Sequence, residues 1–224
     1  MNILLKQLVS DGALLWQGLY ETIYMVLVSM GIATLFGIPL GVAVVVTEPD
    51  RVLENKKVNF VLGAIINVAR SIPFIILMVA IIPVTRLLVG TSIGTTAAIV
   101  PLAVAAIPFI GRVVENSLKE VDPGVIEAAE AMGATPWEII IKVLIPEALP
   151  SLILGLTLTI ISLIGFSAIV GAIGGGGLGD IAIRYGYQRF QGDIMLKTVV
   201  ILVILVQVIQ SIGNWLANRL NRAA

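Results

Sequence analysis

The chain has 224 residues, of which 58% are apolar and 12% charged, and its mean hydropathy is +1.05. Soluble domains carry roughly 25% charged residues, so 14 basic and 14 acidic side chains cannot coat a water-facing fold of this length, and the apolar surface must face lipid. The zero net charge, with no block of like charges, excludes a basic nucleic-acid binder. The absence of Cys and His removes disulfides, thiol chemistry, ordinary zinc sites and the commonest general base, so no catalytic, metal or cofactor site is expected.

A helix needs about 20 apolar residues to cross a bilayer. The first uncharged run is Thr22–Thr47, too long for the core of a cleavable signal, so it should remain as an anchor. Within it, Gly37 and Gly41 form a small-xxx-small pair suited to close helix contact. The run from Val58 to Thr85 is interrupted only by Arg70. Two readings stand for that arginine. Residues Asn55 to Ala69 form an interfacial helix, with Pro73 opening the true span and Arg70 reaching to headgroups, or Arg70 lines a cavity or anchors a gate. Leu87–Gly111 follows, with Pro101 and Pro108 expected to bend it.

Residues 112–147 differ in kind, with ten charged residues in 36. Asp122-Pro123 reads as an N-cap with proline at the first helical position. Gly133 is a left-handed helix stop. Thr135-Pro136-Trp137-Glu138 restarts the helix with a capping box. Trp137, Ile140, Ile141 and Leu144 should share one apolar face, and Pro146 and Pro150 should end that helix. Two further uncharged runs complete the chain, Ala148–Gly179 and Thr198–Asn218. No run shows the period-two alternation of a β-barrel, so every backbone group must be satisfied within helices.

The expected architecture is therefore an all-α integral membrane domain over 1–224. Five transmembrane helices have cores near 22–46, 62–83, 93–112, 151–171 and 196–216, and a helix–Gly–helix loop spans 113–150. Five spans put the termini on opposite faces. With the N-terminus outside, the inner face holds Arg51, Lys56, Lys57, Arg112, Lys119, Lys142, Arg219 and Arg222, against Lys6, Arg86, Arg184, Arg189 and Lys197 outside. That bias favours N-out, C-in, a cytoplasmic loop and interfacial anchoring by Arg219 and Arg222.

Gly174, Gly176 and Gly179 match G-x-G-x-x-G, but no strand precedes them, so a tight turn or gate is expected instead of a phosphate site. The chain contains no G-x-x-x-x-G-K-[ST] and cannot hydrolyse ATP by that machinery. Polar groups inside the spans are mild: Asn67, Ser71, Thr95, Thr96, Thr157, Thr159, Ser162, Ser167, Gln207 and Gln210. Most should satisfy helix backbones, with Ser71, Ser162 and Ser167 as candidates to line a solute path. Carboxylates do not cluster in the spans, which argues against a proton-coupled transporter, and no buried acid pair supports an intramembrane enzyme.

Glu127-Ala128-Ala129, Gly133, Val143, Ile145 and Pro146 resemble the EAA motif of ABC importer permeases, E-A-A, three residues, G, nine residues, I-x-L-P. Valine and isoleucine stand here for isoleucine and leucine. Further stretches, Arg70 to Leu77, Val89 to Gly94, Ala97 to Leu102 and Gly174 to Gly179, are similar to methionine-importer permeases. The resemblance implies a transport subunit in a bacterial inner membrane, with no enzyme activity of its own. Two copies would form one path, driven by two cytosolic ABC ATPases and fed by an external methionine-binding protein. Glu127, Ala128, Ala129, Gly133 and Pro146 would couple the ATPases to the spans, and Gly174, Gly176, Gly177 and Gly179 would form a gate. Another small solute, such as an osmolyte, a phosphonate or a different amino acid, is the alternative cargo.

Overall fold

The computed structural model describes the backbone of residues 2–221 and the side chains of residues 11–221. The side chain of Lys6 and all of Arg222 therefore lie outside the described residues. Every described element is helical. In chain order these are α1 (Asn2–Val46), α2 (Lys56–Ser71), α3 (Phe74–Ala80), α4 (Ile82–Val89), α5 (Thr95–Lys119), α6 (Pro123–Ala131), α7 (Pro136–Glu138), α8 (Ile145–Val170), α9 (Gly177–Ile181) and α10 (Gly192–Asn221). Wide π-helical turns occupy Ile139–Leu144, Gly171–Gly175 and Ala182–Tyr187.

Four helical stretches are long and apolar enough to cross a membrane: Asp11–Val46, Thr95–Lys119, Pro136–Gly175 and Gly192–Asn221. The span expected at 62–83 is instead broken. α2 and α3 meet at 98°, and only when that bent pair counts as one crossing does the number reach five. The cause is Pro73. Its ring excludes the α conformation for the residue before it, and Ile72 accordingly sits in extended backbone at φ −83°, ψ 121°. α2 starts where Asn55 caps it, its side chain accepting from the Val58 amide at 3.2 Å. Arg70 lies exposed in the last turn of α2, its guanidinium 5.2 Å from the centroid of the Phe109 ring. A cation there suits the negative end of the helix, an arrangement that favours the interfacial reading of α2. α5 continues through both Pro101 and Pro108 as one helix.

The chain divides into two compact units. The first comprises Met1–Gly31, Pro73–Val104 and Ile160–Ile209. Its core holds Met25, Leu102, Leu163 and Leu178, all fully buried, with Phe74 stacked on Phe166 at 4.4 Å between ring centroids. The second comprises Ile32–Ile72, Ala105–Thr159 and Gln210–Ala224. Its core is Val45, Ile66, Ile110, Val114, Leu118, Ile139 and Leu144.

In the second unit α1 and α5 approach closely through the glycine pair. A Cβ on Gly37 would stand 2.7 Å from Ile110 Cβ, and one on Gly41 would stand 2.5 Å from the Gly111 carbonyl oxygen. The small-xxx-small reading thus has a physical partner in α5.

Candidate functional site

Two places concentrate polar and backbone chemistry, one in each unit. The loop of the second unit is built by local capping. Asp122 accepts from the Gly124 amide at 2.7 Å and starts α6, with Pro123 in its first turn. Gly133 adopts φ 81°. Its amide donates to the Glu130 carbonyl at 2.9 Å and the Ala134 amide to the Ala129 carbonyl at 3.1 Å. This paired closure is a Schellman motif, which requires the left-handed residue that glycine supplies. The chain then restarts at Thr135, whose hydroxyl accepts from the Glu138 amide while Glu138 accepts from the Thr135 amide.

Two expectations for this loop need correction. The apolar face is not Trp137, Ile140, Ile141 and Leu144. Ile139, Ile140 and Leu144 are buried, whereas Trp137 and Ile141 are exposed. The cause is the π turn at Ile139–Leu144, closed by an Ile145 amide that reaches back to the Ile140 carbonyl. Hydrogen bonds five residues apart widen the turn and rotate the face away from the ordinary helical period. Nor do Pro146 and Pro150 end the helix, because both lie within α8. Both are internal to the continuous helical stretch Pro136–Gly175, with Pro146 directly after the π turn, and membrane helices accommodate internal prolines through such local π adjustments.

The EAA triplet divides by burial. Ala129 is turned into the chain with Ile126, while Glu127, Ala128 and Glu130 are exposed, as is Met132 beside the turn. A partner on this surface would meet Glu127 and Ala128 but not Ala129. Pro146 is also exposed.

Close by in sequence lies a charge network that the amino-acid pattern shows only in part. Glu115 of α5 is 4% exposed. Arg112 approaches it at 2.7 Å and Lys119 at 2.9 Å. Lys119 also pairs with Glu48, and Arg112 donates to the Asn67 side chain. One buried carboxylate thereby ties α5, by way of its two cations, to α2 and to the turn after α1. The i, i+3 and i, i+4 spacings of Arg112, Glu115 and Lys119 were the available signal. The partners Glu48 and Asn67 are far in sequence and gave none.

The glycine run belongs to the first unit. α8 ends in a π turn that unwinds at Ile173 and at Gly174, where φ is 95°. Gly176 and Gly177 are also left-handed, at φ 81° and 79°. The Gly174 carbonyl accepts from the Gly94 amide at 2.9 Å. The Gly177 amide donates to Glu21 Oε2 at 2.7 Å, and the Leu178 amide to Thr22 Oγ1 at 2.9 Å. A Cβ on Gly179 would lie 2.4 Å from Ala168 Cα, so the turn folds tightly onto α8. The preceding element is helical, as the rejection of a phosphate loop requires. Beside the turn lies a cavity of about 390 Å³ lined by Gln17, Glu21, Thr95, Asp180, Arg184 and Tyr185 among others.

The three serines divide between the units, Ser71 in the second and Ser162 and Ser167 in the first. Ser71, exposed at the end of α2, donates to the Asn67 carbonyl at 2.8 Å. Ser167 is buried in α8 and donates to the Ile164 carbonyl at 2.7 Å. Ser162 is half-buried on the same helix. Thr157, Thr159 and Thr198 likewise bond carbonyls of their own helices, which is how a hydroxyl is satisfied in apolar surroundings.

Long apolar helices joined by a capped surface loop, with no strand among the described residues, define a polytopic membrane component. Residues 33–224 match the profile of the binding-protein-dependent transport system inner membrane component, and the chain belongs to that family. It is 51% identical over 220 residues to the Probable D-methionine transport system permease protein MetI of Vibrio cholerae, covering 98% of each chain. It is 46% identical to the Methionine import system permease protein MetP of Bacillus subtilis, covering 93% of this chain and 94% of that one. The fold is similar to that of a chain of the MetNI methionine ABC transporter in inward-facing conformations, with a TM-score of 0.91 at 50% identity over 92% of this chain and 96% of that one.

Proposed function

We propose that this chain is the permease subunit of an ATP-driven importer of methionine, accepting the D and L forms. The observation that carries this reading is the near full-length similarity to a D-methionine permease together with a methionine importer's fold. Two copies would enclose one path, two cytosolic ATPases would bind the loop surfaces, and an external binding protein would deliver the solute. The chain has no phosphate loop, so hydrolysis falls to the ATPase subunits.

The loop is placed in the cytoplasm, with the N-terminus outside. Its unit carries Arg51, Lys56, Lys57, Arg70, Arg112, Lys119, Lys142 and Arg219, whereas the other unit's described basic residues are Arg86, Arg184, Arg189 and Lys197. The positive-inside bias supports that orientation. Glu127 and Ala128 would contact the ATPase, Gly133 would set their aim, and Pro146 would open the following span. The run from Gly174 to Gly179 would act as a gate. The hydroxyls of Ser71, Ser162 and Ser167 would offer mild polar steps along the route.

The cargo is tested with the assembled complex in proteoliposomes. Binding protein loaded with D- or L-methionine should stimulate ATP hydrolysis, and betaine or a phosphonate should not. Stimulation confined to betaine or the phosphonate would leave the importer class standing and overturn the cargo.

A further inference from the structure

The gate reading leaves one side chain without a role. Glu21 is a carboxylate on α1, inside a helix apolar enough to cross the membrane. It stands at the edge of the uncharged run, half-buried, where a carboxylate needs hydrogen-bond partners. Its two oxygens are both engaged. Oε1 accepts from Gln17 Nε2 at 2.9 Å, one turn earlier, and Oε2 accepts the Gly177 amide at 2.7 Å. The next residue, Thr22, is 1% exposed and takes the next amide, that of Leu178. Two adjacent residues of α1 thus hold two consecutive amides of the glycine turn.

Steric fit supports the same contact. A Cβ on Gly18 would stand 2.3 Å from Ile181 Cδ1, and a Cβ on Gly177 would stand 2.7 Å from Thr22 Oγ1. Gly18 is required by lack of space alone, whereas Gly177 has two independent reasons to be glycine, left-handed backbone and lack of space. The bonds are therefore made by a turn shaped to lie against α1. Their strength is moderate. Two hydrogen bonds, one of them to a charge, are breakable in a conformational cycle.

We infer that Glu21 and Thr22 form a latch that holds the glycine turn against α1, and that opening the path requires its release. They are positioning residues acting through the turn, and the inference rests on the gate reading above. Weakening the latch shifts the resting population toward the open form, so ATP hydrolysis loses its dependence on the binding protein.

The test uses the complete complex in proteoliposomes. Thr22→Val removes the hydroxyl acceptor with little change of shape, Thr22→Ser keeps it, and Glu21→Met removes the carboxylate acceptor at similar length. Losing one such bond should raise hydrolysis in the absence of binding protein about fivefold, the population shift expected from a hydrogen bond of ordinary strength. Thr22→Ser should behave as the parent. A purely structural role would instead lower abundance and all rates together. If Thr22→Val does not reach the membrane, Glu21→Met, which loses the acceptor for the Gly177 amide, reads the same ratio.

A second arm exploits the absence of cysteine in the chain. The pair Thr22→Cys and Leu178→Cys, oxidised, should block uptake, and reduction should restore it. A block accompanied by parental basal hydrolysis in Thr22→Val and Glu21→Met overturns the latch and leaves the gate. Parental uptake by the oxidised pair overturns both. Parental basal hydrolysis in Thr22→Val overturns the latch whether or not the pair cross-links.

Discussion

At Gly133 a single backbone angle decides the course of the loop. The residue sits at φ 81°, and a Cβ there would meet nothing within 4 Å. Space is therefore not the constraint; conformation is. A β-branched side chain should cost about 1–2 kcal/mol, the strain of left-handed backbone. That is too little to unfold the chain but enough to re-aim Glu127 and Ala128. Gly133→Val should thus insert normally yet bind the ATPase and transport less well, read as membrane abundance alongside ATPase co-purification and uptake. Parental co-purification and uptake at normal abundance would remove Gly133 from the coupling role. The caps around it were legible because capping is local: Asp122, Thr135 and Glu138 each act within three residues of themselves. The Glu21 and Thr22 contacts were not, because their partners, Gly177 and Leu178 respectively, each lie 156 residues away.

Between elements, glycine has the opposite meaning. On α1, Gly41 is needed because α5 occupies the space: a Cβ would fall 2.5 Å from both the Gly111 carbonyl oxygen and Val114 Cβ. On α2, a Cβ at Gly63 would meet nothing within 4 Å. Gly41→Ala should therefore destabilise the folded chain by about 1–3 kcal/mol, the usual cost of overpacking. Gly63→Ala should be neutral or stabilise by about 0.5–1 kcal/mol, because glycine weakens a helix interior. Thermal unfolding of the two variants in detergent separates the cases; equal midpoints would show that α1 and α5 do not pack as described. Helix content and the positions of most of the long apolar helices followed from uncharged run length alone. The apolar face of residues 137–144 did not, because a π turn breaks the 3.6-residue period on which such faces are read. The broken second span was half legible. Pro73 and Arg70 marked the place, but the 98° angle depends on how α2 and α3 pack.

For the whole molecule, the distribution of Lys and Arg supports the proposed orientation, with the loop inside. Reporter fusions at Glu130 should read as cytoplasmic and those at Asp180 as external; an external Glu130 would detach the loop from any cytosolic ATPase. Composition alone had already placed the chain in a bilayer, and the EAA-like loop tied it to importers, because both depend on local residue patterns. Solute identity is different. It depends on how a path is assembled from two copies, which no local pattern encodes. The decisive measurement is therefore ATP-dependent accumulation of labelled methionine by proteoliposomes containing this chain, its ATPase and the binding protein. Accumulation should require all three proteins and ATP and should occur with both D- and L-methionine. Accumulation that persists when this chain is omitted, or none with either form while the complex hydrolyses ATP in response to another solute, would contradict the assignment.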